Sequence, residues 1–133
     1  MYTCDLFTST CLALALNRLD AGILESLLAE NAVLIHSGAN CRIEGKQAIL
    51  AFFRIWLLTL SISMEAGLTS LNAELAKVSL KGKSQACLLI RQNVRGGTRR
   101  FLGIFLSRDG LIDSIEFSFS LPDSLEELNI FPV

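Results

Sequence analysis

The chain has 133 residues, a formal net charge of −1, 51% hydrophobic residues and only 19% charged ones. That length suits one folded domain, residues 1–133, and that composition excludes a disordered or tail-like chain. Near-neutral charge without a clustered basic face excludes an electrostatic footprint for nucleic acid, and the apolar runs break short of the ~18 residues of a bilayer span.

From about Asp5 to Asn17, apolar residues recur at Leu6, Phe7, Cys11, Leu14 and Ala15. Offsets of three and four predict a helix, and Leu12, Leu16 and Leu19 widen its apolar stripe beyond one side. The run Leu12-Ala13-Leu14-Ala15-Leu16 has the texture of a signal-peptide core. Asp5 precedes it, however, no Lys or Arg does, and no small-x-small cleavage site follows. It reads as a helix of a cytoplasmic protein. A second short helix is expected from Asp20, an N-cap residue, carrying Ile23, Leu24, Leu27 and Leu28 inward, with Asn31 as its stop.

The period then changes. Ala32-Val33-Leu34-Ile35-His36 predicts a strand, Ser37–Asn40 a turn, and Cys41-Arg42-Ile43 a brief extended return. Gly45 precedes a third helix, Lys46 to about Leu60, with Ile49, Phe52, Phe53, Trp56 and Leu60 on its inner side. From Ser61 onward the pattern is strand-like, with a bend or bulge at Gly67. Ala73–Leu80 leads through Lys81-Gly82-Lys83 into Ser84–Val94; Gly96-Gly97 turns into Arg99–Ser107; Arg108-Asp109-Gly110 turns into Leu111–Ser120. In that last strand Leu111, Asp113, Ile115, Phe117 and Phe119 share one face. Phe101 and Phe105 oppose Leu102, Ile104 and Leu106 on the strand before it, so both of its faces ask to be covered. Residues 121–133 form a C-terminal tail, a poor strand in which Ser124–Asn129 reads as a helical turn.

Four cysteines, Cys4, Cys11, Cys41 and Cys87, form no Cys-x-x-Cys, and His36 is the sole histidine, too few ligands for a zinc site. Buried reduced thiols are the expectation, although spacing alone leaves their pairing open. No metal or cofactor is called for.

Helices segregated onto one face of an antiparallel meander define an α+β domain. Within that order, Ala15-Leu16-Asn17, Leu27-Leu28-Ala29-Glu30-Asn31-Ala32-Val33-Leu34 and Ile43-Glu44-Gly45-Lys46-Gln47-Ala48-Ile49-Leu50-Ala51-Phe52-Phe53 resemble segments of the nuclear transport factor 2-like superfamily. This group includes ketosteroid isomerases and SnoaL-like polyketide cyclases. The closing strands around Arg108-Asp109-Gly110-Leu111-Ile112 agree, so the resemblance spans about Leu12 to Phe119. It implies a cystatin-like cone: three N-terminal helices packed on a curled antiparallel sheet that encloses an apolar pocket, often dimerising through the outer sheet face.

The resemblance places His36 where the isomerase's general-base aspartate stands. A histidine suits proton transfer near neutrality. The isomerase's two oxyanion donors fall on Leu12 and Leu102, which cannot donate a hydrogen bond, so that mechanism lacks its electrostatic half. An Asp-Arg-Asp hydrolase set is missing too, since no aspartate precedes Asp113 in the expected strands. The expected pocket wall is Leu12, Leu34, His36, Phe52, Trp56, Leu102, Ile115, Phe117 and Phe119, which suits an apolar or aromatic small molecule.

Three readings follow. The first is a homodimeric small apolar-ligand-binding protein, without nucleic acid or membrane as partner. The second is a lyase or isomerase using His36 as base. The third is a protein-association module acting through the outer sheet face or the Leu121–Val133 tail. Arg91 and Arg54 are weaker candidates for a ligand carboxylate, and Arg95, Arg99 and Arg100 read as an exposed basic hairpin tip.

Overall fold

The computed structural model describes residues 6–36, 41–80, 83–118 and 125–130. In chain order these form α1 (Leu6–Asn17), α2 (Gly22–Glu25), β1 (Leu28–His36), β2 (Cys41–Glu44) and α3 (Lys46–Glu65). Five strands follow: β3 (Ser70–Leu80), β4 (Lys83–Val94), β5 (Gly97–Arg108), β6 (Leu111–Ser118) and β7 (Leu125–Ile130). The strands make one sheet in the order β2-β1-β6-β5-β4-β3-β7. Pairing is antiparallel except between β1 and β6, which run parallel. The sheet is therefore mixed rather than wholly antiparallel.

The three described helices all precede β3, but they are not one N-terminal block: α2 is a single turn, and β1 and β2 come before α3. Asp20 is not the helical N-cap expected of it. Its Oδ1 accepts the Gly22 N–H at 2.9 Å, a local Asx turn, and Ala21 occupies the cap. The expected stop at Asn31 fails because β1 begins at Leu28; the backbone there is claimed by β6, with Ile112 N–H donating to Leu27 O at 2.7 Å.

Helix α3 starts after Gly45, whose φ of 95° only glycine takes without strain, and runs 20 residues. It passes through Ser61–Glu65, the stretch expected to be strand-like. Gly67 (φ 73°) ends it: the Gly67 N–H reaches Met64 O at 3.0 Å and the Leu68 N–H reaches Ser63 O at 2.9 Å. That pair of bonds is the Schellman closure of a helix, so Gly67 is a stop rather than a strand bulge. By length and composition α3 is long and apolar enough to cross a bilayer, contrary to the run-length expectation, while Ile49, Leu50, Phe53, Leu57 and Leu60 are buried in this fold.

The β4–β5 and β5–β6 hairpins close through two-residue turns. Val94 pairs Gly97 around Arg95-Gly96, and Arg108 pairs Leu111 around Asp109-Gly110, both of the latter at positive φ. The expected turns at Ser37–Asn40 and Lys81-Gly82 lie outside the described residues. In β6 the alternation breaks at Asp113: Ser107 pairs Ile112 and Leu106 pairs Ser114, so Asp113 is an extra residue. Ile112 is consequently buried with Ile115 and Phe117, while Leu111 is 40% exposed. The tail also departs from expectation. Leu125–Ile130 is a strand, because pairing with β3 satisfies backbone groups that a lone helical turn would leave to water.

Residues on α1, α3 and one sheet face form the main core, including Leu12, Leu16, Leu34, Ile49, Phe53, Leu88, Ile90, Phe101, Phe105, Ile115 and Phe117. Asn17, the last residue of α1, ties that helix to the sheet. Its Nδ2 donates to Ala73 O at 3.0 Å and its Oδ1 accepts the Ala73 N–H at 2.7 Å. On the opposite sheet face Ala76, Cys87, Leu89 and Leu102 form a separate buried cluster with Ile104 against it. Cys11 is half-buried, Cys41 exposed and Cys87 buried, none of the three in a disulfide, so only Cys87 meets the expectation of burial; Cys4 lies outside the described residues.

Candidate functional site

The register of the sheet lays out its inner face in rows. One row runs Leu75–Leu88–Gly103–Phe117–His36 across β3, β4, β5, β6 and β1; the next runs Phe105–Ile115–Leu34. Residues directly opposed in a ladder share a face, so His36 at the end of β1 stands on the side of Leu34 and Phe117. His36 is half-buried, whereas Leu34 is fully buried.

Helix α3 lays its aromatic residues over these rows. Phe52 and Trp56, one turn apart, stack with centroids 6.0 Å apart at 28°, and both remain half-buried. Deeper in, Trp56 meets Phe53 at 5.9 Å, Phe117 at 6.0 Å and Phe101 at 6.3 Å. Phe117 closes the set edge-on to Phe53 at 6.1 Å and to Phe101 at 6.0 Å. Five rings therefore pack as one body, closed at Phe53, Phe101 and Phe117 and open at Phe52 and Trp56.

Gly103 makes room for that packing. A Cβ at Gly103 would stand 3.1 Å from Phe117 Cε1, so the ring leans over a position that any side chain would fill. Gly103→Ala is accordingly expected to displace the Phe117 ring and to cost about 1–3 kcal/mol of stability, measured by urea unfolding. An unchanged midpoint would show that the ring has slack.

The expected wall residues separate into three groups. Leu34, Phe52, Trp56, Ile115 and Phe117 converge on the aromatic body or its rows, with His36 at the row end. Leu12 is fully buried within the core beneath α1. Leu102 lies on the other sheet face, one residue out of phase with Phe101, packed with Leu89 and Cys87. Phe119 lies outside the described residues. Phe53, Phe101 and Gly103 were not on the expected wall, although the spacing on α3 already aimed Phe53 inward and the parity of β5 set Phe101 on the face opposite Leu102.

Charged candidates sit elsewhere. Arg91 faces outward and reaches Glu74 at 3.3 Å, a cross-strand ion pair. Arg42 donates from Nε to Glu44 Oε1 at 2.8 Å, and Arg108 Nε lies 3.2 Å from Asp113 Oδ2 on the bulge. Arg95, Arg99 and Arg100 are exposed at the β4–β5 hairpin. Arg54 and Arg18 line an open groove of about 500 Å³ between the α1–α2 turn and α3; a second, of about 410 Å³, crosses the outer face beside Val33, Ile35 and Leu106. Among the described residues no cluster of His, Cys, Asp and Glu is arranged to hold a metal.

Comparison with known proteins gives no matching family model and no matching curated sequence. Solved structures do match. An NTF2-like protein from Cytophaga hutchinsonii is 18% identical, with 85% of this chain and 87% of that one covered, at a TM-score of 0.57. An LEH-like epoxide hydrolase of M. tuberculosis is 16% identical, covering 86% and 81%, at 0.59. The orange carotenoid protein of Anabaena (Nostoc) sp. PCC 7120, in a structure binding canthaxanthin, is 20% identical over 88% of this chain and 37% of that one, at 0.62. At such identities the likeness speaks for the backbone alone, and it agrees with the mixed sheet wrapped on α3: the chain has the fold of the nuclear transport factor 2-like superfamily.

Proposed function

We propose that this protein binds a small apolar or aromatic molecule on the open side of its aromatic body. The observation that carries the reading is the pair Phe52 and Trp56, stacked, half-buried and continuous with the buried Phe117 ring. A contiguous, partly exposed apolar patch marks a ligand or partner surface, and aromatic walls are typical of small-molecule sites. His36 stands on the same face at the end of the adjoining row and supplies a polar contact for orientation. A neighbour in fold binds canthaxanthin, an extended apolar ligand, which supports the ligand class. Leu102 has no part in the site, because it faces the other way.

A second reading, a lyase or isomerase with His36 as base, rests on the same placement of His36 beside Phe117. The described carboxylates found in ion pairs, Glu30, Glu44, Glu74 and Asp113, are paired with Lys46, Arg42, Arg91 and Arg108, so His36 would act without a carboxylate partner from among them. A homodimer in the cytoplasm completes the proposal.

Trp56 is the sole tryptophan and reports on its own site. Anilinonaphthalene sulfonate, an apolar aromatic probe, is expected to quench its emission saturably. Phe52→Ala should weaken that binding about 10-fold or more, the loss of one stacked ring contact. His36→Ala should change it less. Native mass spectrometry of the purified protein should show a reproducible small-molecule excess. Absence of both saturable quenching and excess mass would overturn the ligand reading.

A further inference from the structure

We infer that the outer face of α3 is a self-association surface, on which a second copy of this chain packs its own α3 antiparallel. Its test does not involve a ligand and so can fail independently of the ligand reading; Phe52 and Trp56, half-buried, flank this face, and the core residues Ile49, Leu50, Phe53, Leu57 and Leu60 lie opposite it. Along that outer face Ile55 is 69% exposed and Leu58 and Ile62 are each 62% exposed, on a helix whose other side is core. With the exposed Ala51 they are spaced four, three and four residues apart. That alternation is the seam of a two-helix coiled contact rather than scattered surface leucines.

The seam says which copy and which direction. Its small residues, Ala48 and Ala51, lie toward the N-terminus, and its large ones, Ile55, Leu58 and Ile62, toward the C-terminus. Antiparallel pairing sets Ala51 opposite Ile62 and Ile55 opposite Leu58 in both halves, so large meets small at the ends and the helices stay parallel to the contact. It also brings the exposed Glu65 of each copy to the first turn of the other α3, which carries no acidic residue of its own and has the positive end of the helix dipole. Parallel pairing would instead set Glu65 against Glu65 and Ala51 against Ala51. Arg54 falls at the flank of the seam, where it stays in solvent.

The alternative surface, the outer sheet face, has less to offer. Its largest apolar cluster, Leu89, Leu102, Cys87 and Ala76, is already at most 2% exposed within one copy. A helix of 20 residues is about 30 Å long, and such a contact buries on the order of 1,000 Å² in total, the low end for a specific complex, which fits micromolar association.

Sedimentation velocity between about 1 and about 200 µM, a range bracketing that affinity, tests the inference. The protein should pass from its 14.6 kDa chain mass to twice that mass as concentration rises. Leu58→Glu, at an exposed position that the fold does not need, should hold it at the single mass with an unchanged melting temperature. Ile35→Lys, on the outer sheet face, should leave the dimer intact. A dimer that survives Leu58→Glu, or is lost in Ile35→Lys, overturns the inference. So does a chain that stays monomeric throughout, including one that then sediments with phosphatidylserine-containing vesicles, which would assign the seam to a lipid surface.

Discussion

Phe53→Ala is expected to lower the free energy of unfolding by about 3–5 kcal/mol, the range for deleting a fully buried aromatic side chain. Phe53 has no exposed surface and touches Phe52 at 5.4 Å, Trp56 at 5.9 Å and Phe117 at 6.1 Å. Its removal opens a cavity bounded by α3 on one side and β6 on the other, elements too regular to collapse into it. For a domain of this size the melting temperature should fall by roughly 10–20 °C. Phe52→Ala serves as the comparison: the neighbouring ring is half-buried, so its loss should cost clearly less. Thermal unfolding followed by circular dichroism separates the two. Equal costs would mean that the open side of the aromatic body is as tightly covered as its closed side.

The second large effect belongs to a residue with no aromatic partner. Asn17→Leu keeps the volume of the side chain but removes both hydrogen bonds to Ala73. The N–H and C=O of Ala73 turned toward Asn17 have no neighbouring strand, because β7 pairs with β3 only from Ala76 to Leu80. The carboxamide thus stands in for one residue of a missing strand. Leaving both backbone groups unpaired should cost about 2–4 kcal/mol, given ~1–3 kcal/mol for each buried unsatisfied group, discounted for partial access to water. Amide exchange at Ala73 should accelerate by at least about 10-fold while that of Ile90, its partner on the other side, changes little. Unaltered protection at Ala73 would show that water or a local shift replaces the side chain.

Much of this architecture was legible in residue order. The 3–4 spacing of α1 and the aromatic face of α3 led directly to helices, and glycines marked both hairpin turns, although the turn expected at Gly96-Gly97 falls one residue earlier, at Arg95-Gly96, because Gly97 pairs with Val94. The failures have a common cause. Leu28–Asn31 reads locally as the end of a helix, and Ser124–Asn129 as a helical turn, yet Leu28–His36 and Leu125–Ile130 are strands because a distant strand offers hydrogen bonds there. Gly67 was visible but ambiguous, since a glycine after an apolar run serves a helix stop and a strand bulge alike. The bulge at Asp113 could not be seen at all: a strict alternation in sequence conceals an extra residue that only the register of the partner strand exposes.

The same divide runs through the candidate site. Phe52, Trp56, Ile115 and Phe117 were aimed correctly by periodicity. Leu102 was placed by resemblance alone, against the parity that put Phe101 and Leu102 on opposite faces, and the parity prevailed. Gly103 carried no signal, and Asn17 entered only as part of the resemblance, because their work is defined by Phe117 and Ala73, residues 14 and 56 positions away.

The parallel seam between β1 and β6 orders events during synthesis. Helix α3 is synthesised before any residue of β3 to β6, and Phe101 and Phe117, which cover its aromatic side, follow its end by about 35 residues or more. At typical elongation rates of ~5–20 residues per second, a 20-residue apolar helix therefore waits seconds for its cover. β1 waits longer still, since its parallel partner is nearly the last strand made. Slowing translation between codons 66 and 110 should therefore lengthen that exposure and lower the soluble yield.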